Sequence, residues 1–543
     1  MDKIFLNKIK QLFKKKQFNQ IDFEIRNLSE ESKNTSFILN LKGIVELSNK
    51  RIDEAKNFFL LSLKKDKFYL DSLINLARIS YKDRDFKEII ELLINYNNQI
   101  PNNPKVLKTL SDLTYSAGFI EDAIIYHKKL IKTGSFELND LMAYIFLQNY
   151  SDNYSNKEYL DSCRLMDIEL NKKKISFNNK NRNLDKSHIA FLSHDLRDHP
   201  VGRFLKDTIK YLKNENFHII ALNLYKDKIE DDKFKNELKN CFSEWHDVYN
   251  LNDFELSNFI YEKNISILID INGYTLGSRL QVLKNKPAPF QISWLGYCNS
   301  LGIKEIDYLI ADNYVLPKNE EKFYSEKILK LASIWNVYSK LDCVDVNELP
   351  ALKNGYLTFG SFNNFSKISL STINIWSQIL LNSPNSRLVL KSPTSVDKNF
   401  MNIFLNKFDS KVNKKNIIFL ETVLDKKKHL AQFNLIDVSL DPFPYNGVTT
   451  SFESIWMGVP VLTLKGEKFV SRCGYSINKN ANLNAFIADN INDYFNKAIN
   501  FGSKDNILSL SKLRKSLREK ISSSSLFDSR SFAKNFASIL KDI

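Results

Sequence analysis

Apolar residues in the first 140 positions recur with the rhythm of a helix, and beneath it lies a longer period of 34. Phe18, Ile52, Phe86 and Ile120 share one column of that period. Ile21, Ala55, Ile89 and Ala123 share a second, and the small residues Gly43, Ala77 and Ser111 a third. Each row holds two amphipathic stretches, such as FILNLKGIVELSN and then IDEAKNFFLLSLKK, and Pro101 falls where one row passes to the next. A column of small residues lets paired helices approach closely, while bulky columns fill the seams between stacked pairs. ELNDLMAYIFLQNY and NKEYLDSCRLMDIELNKKK continue as helices, and the polar run NNKNRN marks a break.

The period looks like a tetratricopeptide array over residues 1–140, with three good repeats after a degenerate first one. Such helix pairs cannot bury their apolar faces alone, so they stack into a superhelix with a concave face. Two uses follow: a surface that holds a protein or peptide, which has the edge, or a scaffold that supports the next domain or makes a homo-oligomer. A helical linker is expected over 141–185.

At Ser187 the pattern changes. HIAFLSHDL, FHIIALNLY, ISILIDINGY, FQISWLGY and DYLIADNYVL are short apolar strands alternating with helical segments such as HPVGRFLKDTIKYLKN. From Tyr356 the alternation resumes with YLTFGSF, SRLVLKS, NIIFL, DVSLD and VPVLTL. This predicts two parallel α/β lobes, over 186–345 and 346–543. Ligands in such lobes bind beyond the carboxyl ends of the strands. The stretch IDVSLDPFPYNGVTTSFESIWMGVPVLTL is strand, Pro- and Gly-broken loop, helix start and strand. Thr449 and Thr450 suit an N-cap, with Glu453 at the capping-box spacing from Thr450. A helix start of this kind can hold a phosphate on free N–H groups and the positive end of its dipole; an ordinary turn is an equal reading of the stretch alone. His194 and His199 stand out after the first strand of a chain with only seven histidines. Either could serve as a general base, or simply cap a helix.

Composition narrows the class. No apolar run reaches 18 residues, so no membrane span is expected, and MDKIFLNKIKQLFKKK lacks the apolar centre of a signal peptide. Cys163, Cys241, Cys298, Cys343 and Cys473 are too far apart to suggest a disulfide framework or a paired metal site, which fits a reducing cytoplasm. The net charge of +15 could point to a polyanion. The lysines are spread along the chain without a nucleic-acid motif, however, so a solvated basic surface is the preferred reading and no nucleic-acid partner is expected. No G-x-G-x-x-G with a following acidic residue argues for a dehydrogenase.

Four segments in order carry a resemblance: SHDLRDHPVGRFL, WLGYCNSLGIKEIDYLIAD, FGSFNNFSKISLSTINIWSQIL and LDPFPYNGVTTSFESIWMGVPVLTL. Together they resemble the tetratricopeptide-containing O-linked N-acetylglucosamine transferases, a family that includes the SPINDLY-type O-fucosyltransferases. ISSSSLFDSRSFAKNF is similar to the family's C-terminal signature. The resemblance implies an α-solenoid followed by a two-lobed GT-B glycosyltransferase. It places Asn364 and Lys367 on the diphosphate of a nucleotide sugar, with Thr449 and Thr450 at the helix start cradling the same group. Glu453 falls on the ribose hydroxyls, Lys426 and His429 near the base, and His199 on a histidine proposed as catalytic base.

The implied reaction moves a sugar, N-acetylglucosamine first, from a nucleotide sugar (UDP-GlcNAc or GDP-fucose) to a protein Ser or Thr hydroxyl. Lys367 and the Thr449 helix start would replace a metal, so no metal and no cofactor are expected. Departures from the animal pattern are Val448 and Ser266, where those enzymes carry histidine, Glu453 for aspartate and Asn364 for glutamine. Glu453 in its context looks more like the plant fucosyltransferases. The alternatives are an O-fucosyltransferase, a non-catalytic adaptor with a degenerate transferase domain, and a transferase acting on asparagine or a small glycan.

Overall fold

The computed structural model describes residues 3–83, 85–179, 185, 187–226, 233–342, 344–394 and 397–543. Cys343, the predicted lobe start at 186 and most of the NNKNRN break lie outside them. Two compact units are resolved, Met1–Asp140 and Leu141–Ile543.

The first unit is built of helical hairpins: Ser36–Ser48 with Ile52–Lys65, Leu70–Asp83 with Lys87–Gln99, and Pro104–Ser116 with Ile120–Lys132. The column Ile21, Ala55, Ile89 and Ala123 is buried throughout. Gly43 shows why its column is small: a Cβ there would stand 2.4 Å from the ring of Phe59. Ser72 and Asn75 donate to Asn40 Oδ1, both at 3.0 Å, so neighbouring repeats also share a buried polar seam.

In the second unit, β1 (His188–Ser193), β2 (His218–Asn223), β3 (Glu244–Asp247), β4 (Ile267–Asp270), β5 (Phe290–Ser293), β6 (Tyr308–Asp312) and β7 (Lys327–Leu331) form one sheet ordered β3-β2-β1-β4-β5-β6-β7. The second sheet comprises β8 (Thr358–Ser361), β9 (Arg387–Lys391), β10 (Ile417–Leu420), β11 (Val438–Leu440), β12 (Val461–Leu464) and β13 (Ile487–Ala488). Its order is β10-β9-β8-β11-β12-β13. Every pairing is parallel. Central strands are near-continuous apolar runs because helices cover both faces. The order reverses between β1 and β4 and again between β8 and β11, which opens a crevice at each switch point.

Three edge strands escape the sequence pattern. EWHD of β3 is polar and aromatic, KILKL of β7 is half-buried with lysine at every third position, and β13 is two residues long. Four helices matter below: α1 (Pro200–Leu212), α2 (Lys426–Ala431), α3 (Thr449–Trp456) and α4 (Ser529–Lys541). Although α4 closes the chain, it packs on the first lobe against α1. There Phe536 meets Trp294 at 4.6 Å between ring centroids. The predicted linker is also part of the first lobe: the Tyr159 hydroxyl lies 2.6 Å from that of Tyr297, and buried Lys284 pairs with Asp167 at 2.7 Å.

Candidate active site

A cleft of about 770 Å³ runs between the two lobes. The first lobe contributes Asp198, Pro200 and Arg203 from the end of β1 and the start of α1, with Phe234 beyond. The second contributes Leu424, Lys426 and His429 around α2, and Thr449, Thr450 and Glu453 on α3. Lys426 Nζ reaches across to Asp198 Oδ2 at 3.1 Å, and Arg203 Nε donates to the other oxygen of that carboxylate at 2.8 Å. These contacts hold Asp198 below the usual carboxylate range despite its partial burial, which acts the other way.

The loop before α3 is pinned from behind. The Asp441 carboxylate accepts the Gly447 N–H and the Thr463 hydroxyl, each at 2.7 Å. Burial lifts Asp441 to about 7, against those hydrogen bonds and the charge of Lys367. Gly447 has no room for a side chain: a Cβ would lie 2.6 Å from Thr450 Oγ1 and 2.9 Å from Asn363 Oδ1. Val448, which caps α3, offers no side-chain acceptor. The Thr450 hydroxyl donates to Asn363 Oδ1 at 2.9 Å, and Glu453 Oε2 accepts from His429 Nε2 at 3.0 Å. The expected Thr450–Glu453 capping box therefore does not form, because both side chains are committed to partners around the cleft. Ser451 and Phe452 direct their N–H groups to Val448 O, whereas those of Thr449 and Thr450 meet no acceptor among the described residues. The mouth of α3 thus presents amide donors and a dipole end to the cleft.

The eight residues implied by sequence do not all meet here. Lys426, His429, Thr449, Thr450 and Glu453 line the cleft; Lys367, Asn364 and His199 do not. Lys367 sits behind the turn that leads into α3, donating to Asn446 O at 3.0 Å, with its ammonium 4.3 Å from the centroid of the Tyr445 ring. Burial lowers its pKa, and Asp441 opposes the shift. Asn364 is exposed and accepts the Ser366 N–H at 3.1 Å. His199 is the N-cap of α1: its Nδ1 accepts the Val201 N–H at 3.4 Å and lies 3.6 Å from Asp195 Oδ2. Burial depresses the His199 pKa, with Asp195 pulling it back up. Ser266, one of the departures, precedes β4 at the opposite end of the sheet, where its hydroxyl donates to Asp185 O at 2.6 Å. It has no bearing on the cleft.

Sequence reasoning missed Asn363, Asp441 and Lys391. Lys391 ends β9 and reaches His429 Nδ1 at 2.5 Å. Its signal was available, since a lysine at the carboxyl end of an apolar strand sits where ligands bind. Among the described residues no group of three or more His, Cys, Asp or Glu side chains is placed to hold a metal ion.

Helical hairpins followed by two doubly wound lobes, with an amide-rich helix start at the switch point of the second, define a repeat-bearing GT-B architecture. The model of glycosyl transferase family 41 matches residues 163–344 and 340–536, and the chain belongs to that family. It is 32% identical over 361 residues to a tomato (Solanum lycopersicum) protein named as a probable UDP-N-acetylglucosamine–peptide N-acetylglucosaminyltransferase SPINDLY, covering 65% of this chain and 38% of that one. It is 29% identical over 358 residues to the Arabidopsis thaliana protein SEC of the same description, covering 64% and 36%. The chain therefore spans well under half the length of these relatives. A solved mutant of the Thermobaculum terrenum O-GlcNAc transferase shares the fold, with a TM-score of 0.77 at 23% identity over 95% of this chain and 99% of that one. Among the described residues no helix is long and apolar enough to cross a membrane.

Proposed function

We propose that the chain is a glycosyltransferase that moves a sugar from a nucleotide sugar to a Ser or Thr hydroxyl of a protein in the cytoplasm, without a metal. The observation that carries this reading is the mouth of α3: two N–H groups without acceptors among the described residues, opening on a cleft that also holds Lys426, His429 and Glu453. The acceptor hydroxyl attacks the anomeric carbon, the bond from that carbon to the diphosphate oxygen breaks, the nucleoside diphosphate leaves with the electron pair, and the hydroxyl proton passes to a departing diphosphate oxygen or to water. Charge that grows on the leaving oxygens is met by the α3 amides. Lys367 joins them by exchanging Asn446 O for a phosphate oxygen. Glu453 takes the ribose hydroxyls, with Lys426 and His429 toward the base. His199 holds α1 in place.

N-acetylglucosamine is the first candidate sugar, in keeping with the names of the plant relatives. The first unit offers the acceptor a groove of about 550 Å³ lined by Phe13, Asn40, Asn75, Arg78 and Lys105. GDP-fucose is the second candidate, on the strength of Glu453 at the ribose position. A panel of UDP- and GDP-sugars, scored by the shift each gives to the melting temperature and by sugar transfer to a peptide, tests the reading. One donor should stand apart and support transfer that survives chelator. Silence across the panel would remove the enzymatic account and leave an adaptor. Activity lost in chelator and restored by manganese would remove the metal-free mechanism.

A further inference from the structure

Beneath the cleft, Lys391 is 3% exposed. Its Nζ donates to His429 Nδ1 at 2.5 Å and to Gln432 Oε1, and stands 5.5 Å from the centroid of the Phe362 ring. Among the described residues no carboxylate lies within ion-pair distance of it. Burial brings its pKa down to about 8, with the more distant Glu453 charge acting the other way. A buried amine with only neutral acceptors is a costly way to fill space that a methionine would fill more cheaply. Its position therefore calls for a reason other than packing.

We infer that Lys391 is a positioning residue that fixes the tautomer of His429 and so reserves one oxygen of Glu453 for a ribose diol. The inference rests on the nucleotide-sugar reading above. An ammonium only donates, so His429 Nδ1 accepts and the imidazole proton sits on Nε2. That proton goes to Glu453 Oε2 at 3.0 Å. Oε1 of the same carboxylate makes no hydrogen bond among the described residues, and Glu453 lines the cleft. A carboxylate oxygen is acceptor-only, which suits a pair of vicinal hydroxyls and penalises a sugar that lacks one. Without the Lys391 donor, the His429 proton is free to move to Nδ1. The Nε2 lone pair would then face the carboxylate and turn it away from the ligand. The class favoured is a ribonucleoside diphosphate over its 2′-deoxy counterpart.

The test measures binding of UDP, GDP and their 2′-deoxy forms to the full chain by calorimetry, in the wild type and in Lys391→Met. The wild type should prefer the ribose form of its nucleotide by about tenfold or more, the effect of one charge-assisted hydrogen bond. Lys391→Met should bring that preference below about threefold. Mere loosening of the pocket would weaken both forms alike and leave the ratio intact, which would overturn the inference, as would a wild type that binds both forms equally. A wild type that binds neither UDP nor GDP would instead break the nucleotide reading, and this inference with it. Should Lys391→Met not fold, ¹⁵N spectra of histidine-labelled wild type decide: a His429 proton on Nε2 is expected, and a proton on Nδ1 refutes the chain of contacts.

Discussion

At the scale of single residues, Lys367 shows how far a motif and a place can differ. The motif puts it on the diphosphate, whereas the structure puts its ammonium on Asn446 O, one turn of loop behind Thr449. The two positions are reconciled if a phosphate oxygen replaces that carbonyl, for which a half-buried cation beside an aromatic ring is already prepared. Lys367→Ala should then lower kcat about 100-fold or more, as loss of one transition-state donor does elsewhere. The melting of the first unit should stay unchanged. Steady-state kinetics with the preferred donor, alongside calorimetric melting, check this; a loss under about threefold would leave Lys367 a structural brace of the 442–448 loop. Glu453 and His429 make the complementary point. The spacing of Glu453 from Thr450 reads in one dimension as a capping box, but Glu453 and His429 answer to each other, 24 residues apart in sequence, and only the folded lobe brings them together.

At the scale of elements, period carried the reading and chemistry at element ends did not. The 34-residue columns are the buried seams of the hairpins because each column faces the same neighbour in every repeat. Gly43→Ala would press a methyl group into the Phe59 ring and should destabilise the first unit by about 1–3 kcal/mol, read from urea melts of the helical signal. Ten of thirteen strands announce themselves as apolar runs. The three that do not lie at or next to sheet edges, where one-sided burial relaxes the demand for apolar residues. Helix starts were harder: whether Thr450 caps α3 or bonds Asn363 depends on a loop remote in sequence. A second element-level prediction concerns His127 in Ile120–Lys132. The ring is 3% exposed, its Nδ1 makes no hydrogen bond among the described residues, and burial drops its pKa from 6.5 to about 4 against the pull of Asp140. The unfolded chain takes up that proton first as pH falls below 6.5, so stability of the first unit drops between pH 6.5 and 4, by about 3 kcal/mol for this group. Asp112, raised to about 6, works the other way, but its exposure to solvent mutes the effect. His127→Leu should flatten the acid limb of the melting temperature against pH; an unchanged limb would assign it to other groups.

At the scale of the whole molecule, the question is what holds the two lobes around their cleft. Across the cleft Asp198 meets Lys426, but with side chains 34% and 46% exposed such a pair contributes less than about 1 kcal/mol and is screened by salt; buried contacts such as Ser476 Oγ to Asp312 Oδ2 at 2.6 Å and Arg472 Nε to Tyr314 O at 2.7 Å also join the lobes. An apolar tie is α4, which leaves the second lobe to bury Phe532 and Phe536 against Trp294 of the first. Phe536 is fully buried, so Phe536→Ala should cost about 3–5 kcal/mol. Because the chain must pass through the second lobe to reach that seat, the loss should appear as lowered cooperativity as well as lowered stability. Calorimetry of the wild type should show the two lobes of Leu141–Ile543 melting together, and that transition should split or broaden in Phe536→Ala. A nucleotide diphosphate bound at α3 should raise the midpoint of the whole wild-type transition, but in the variant only that of the second lobe. High salt, which removes the Asp198–Lys426 attraction, should leave the wild-type transition single. If salt alone splits it, the ion pair and not the returning helix joins the lobes.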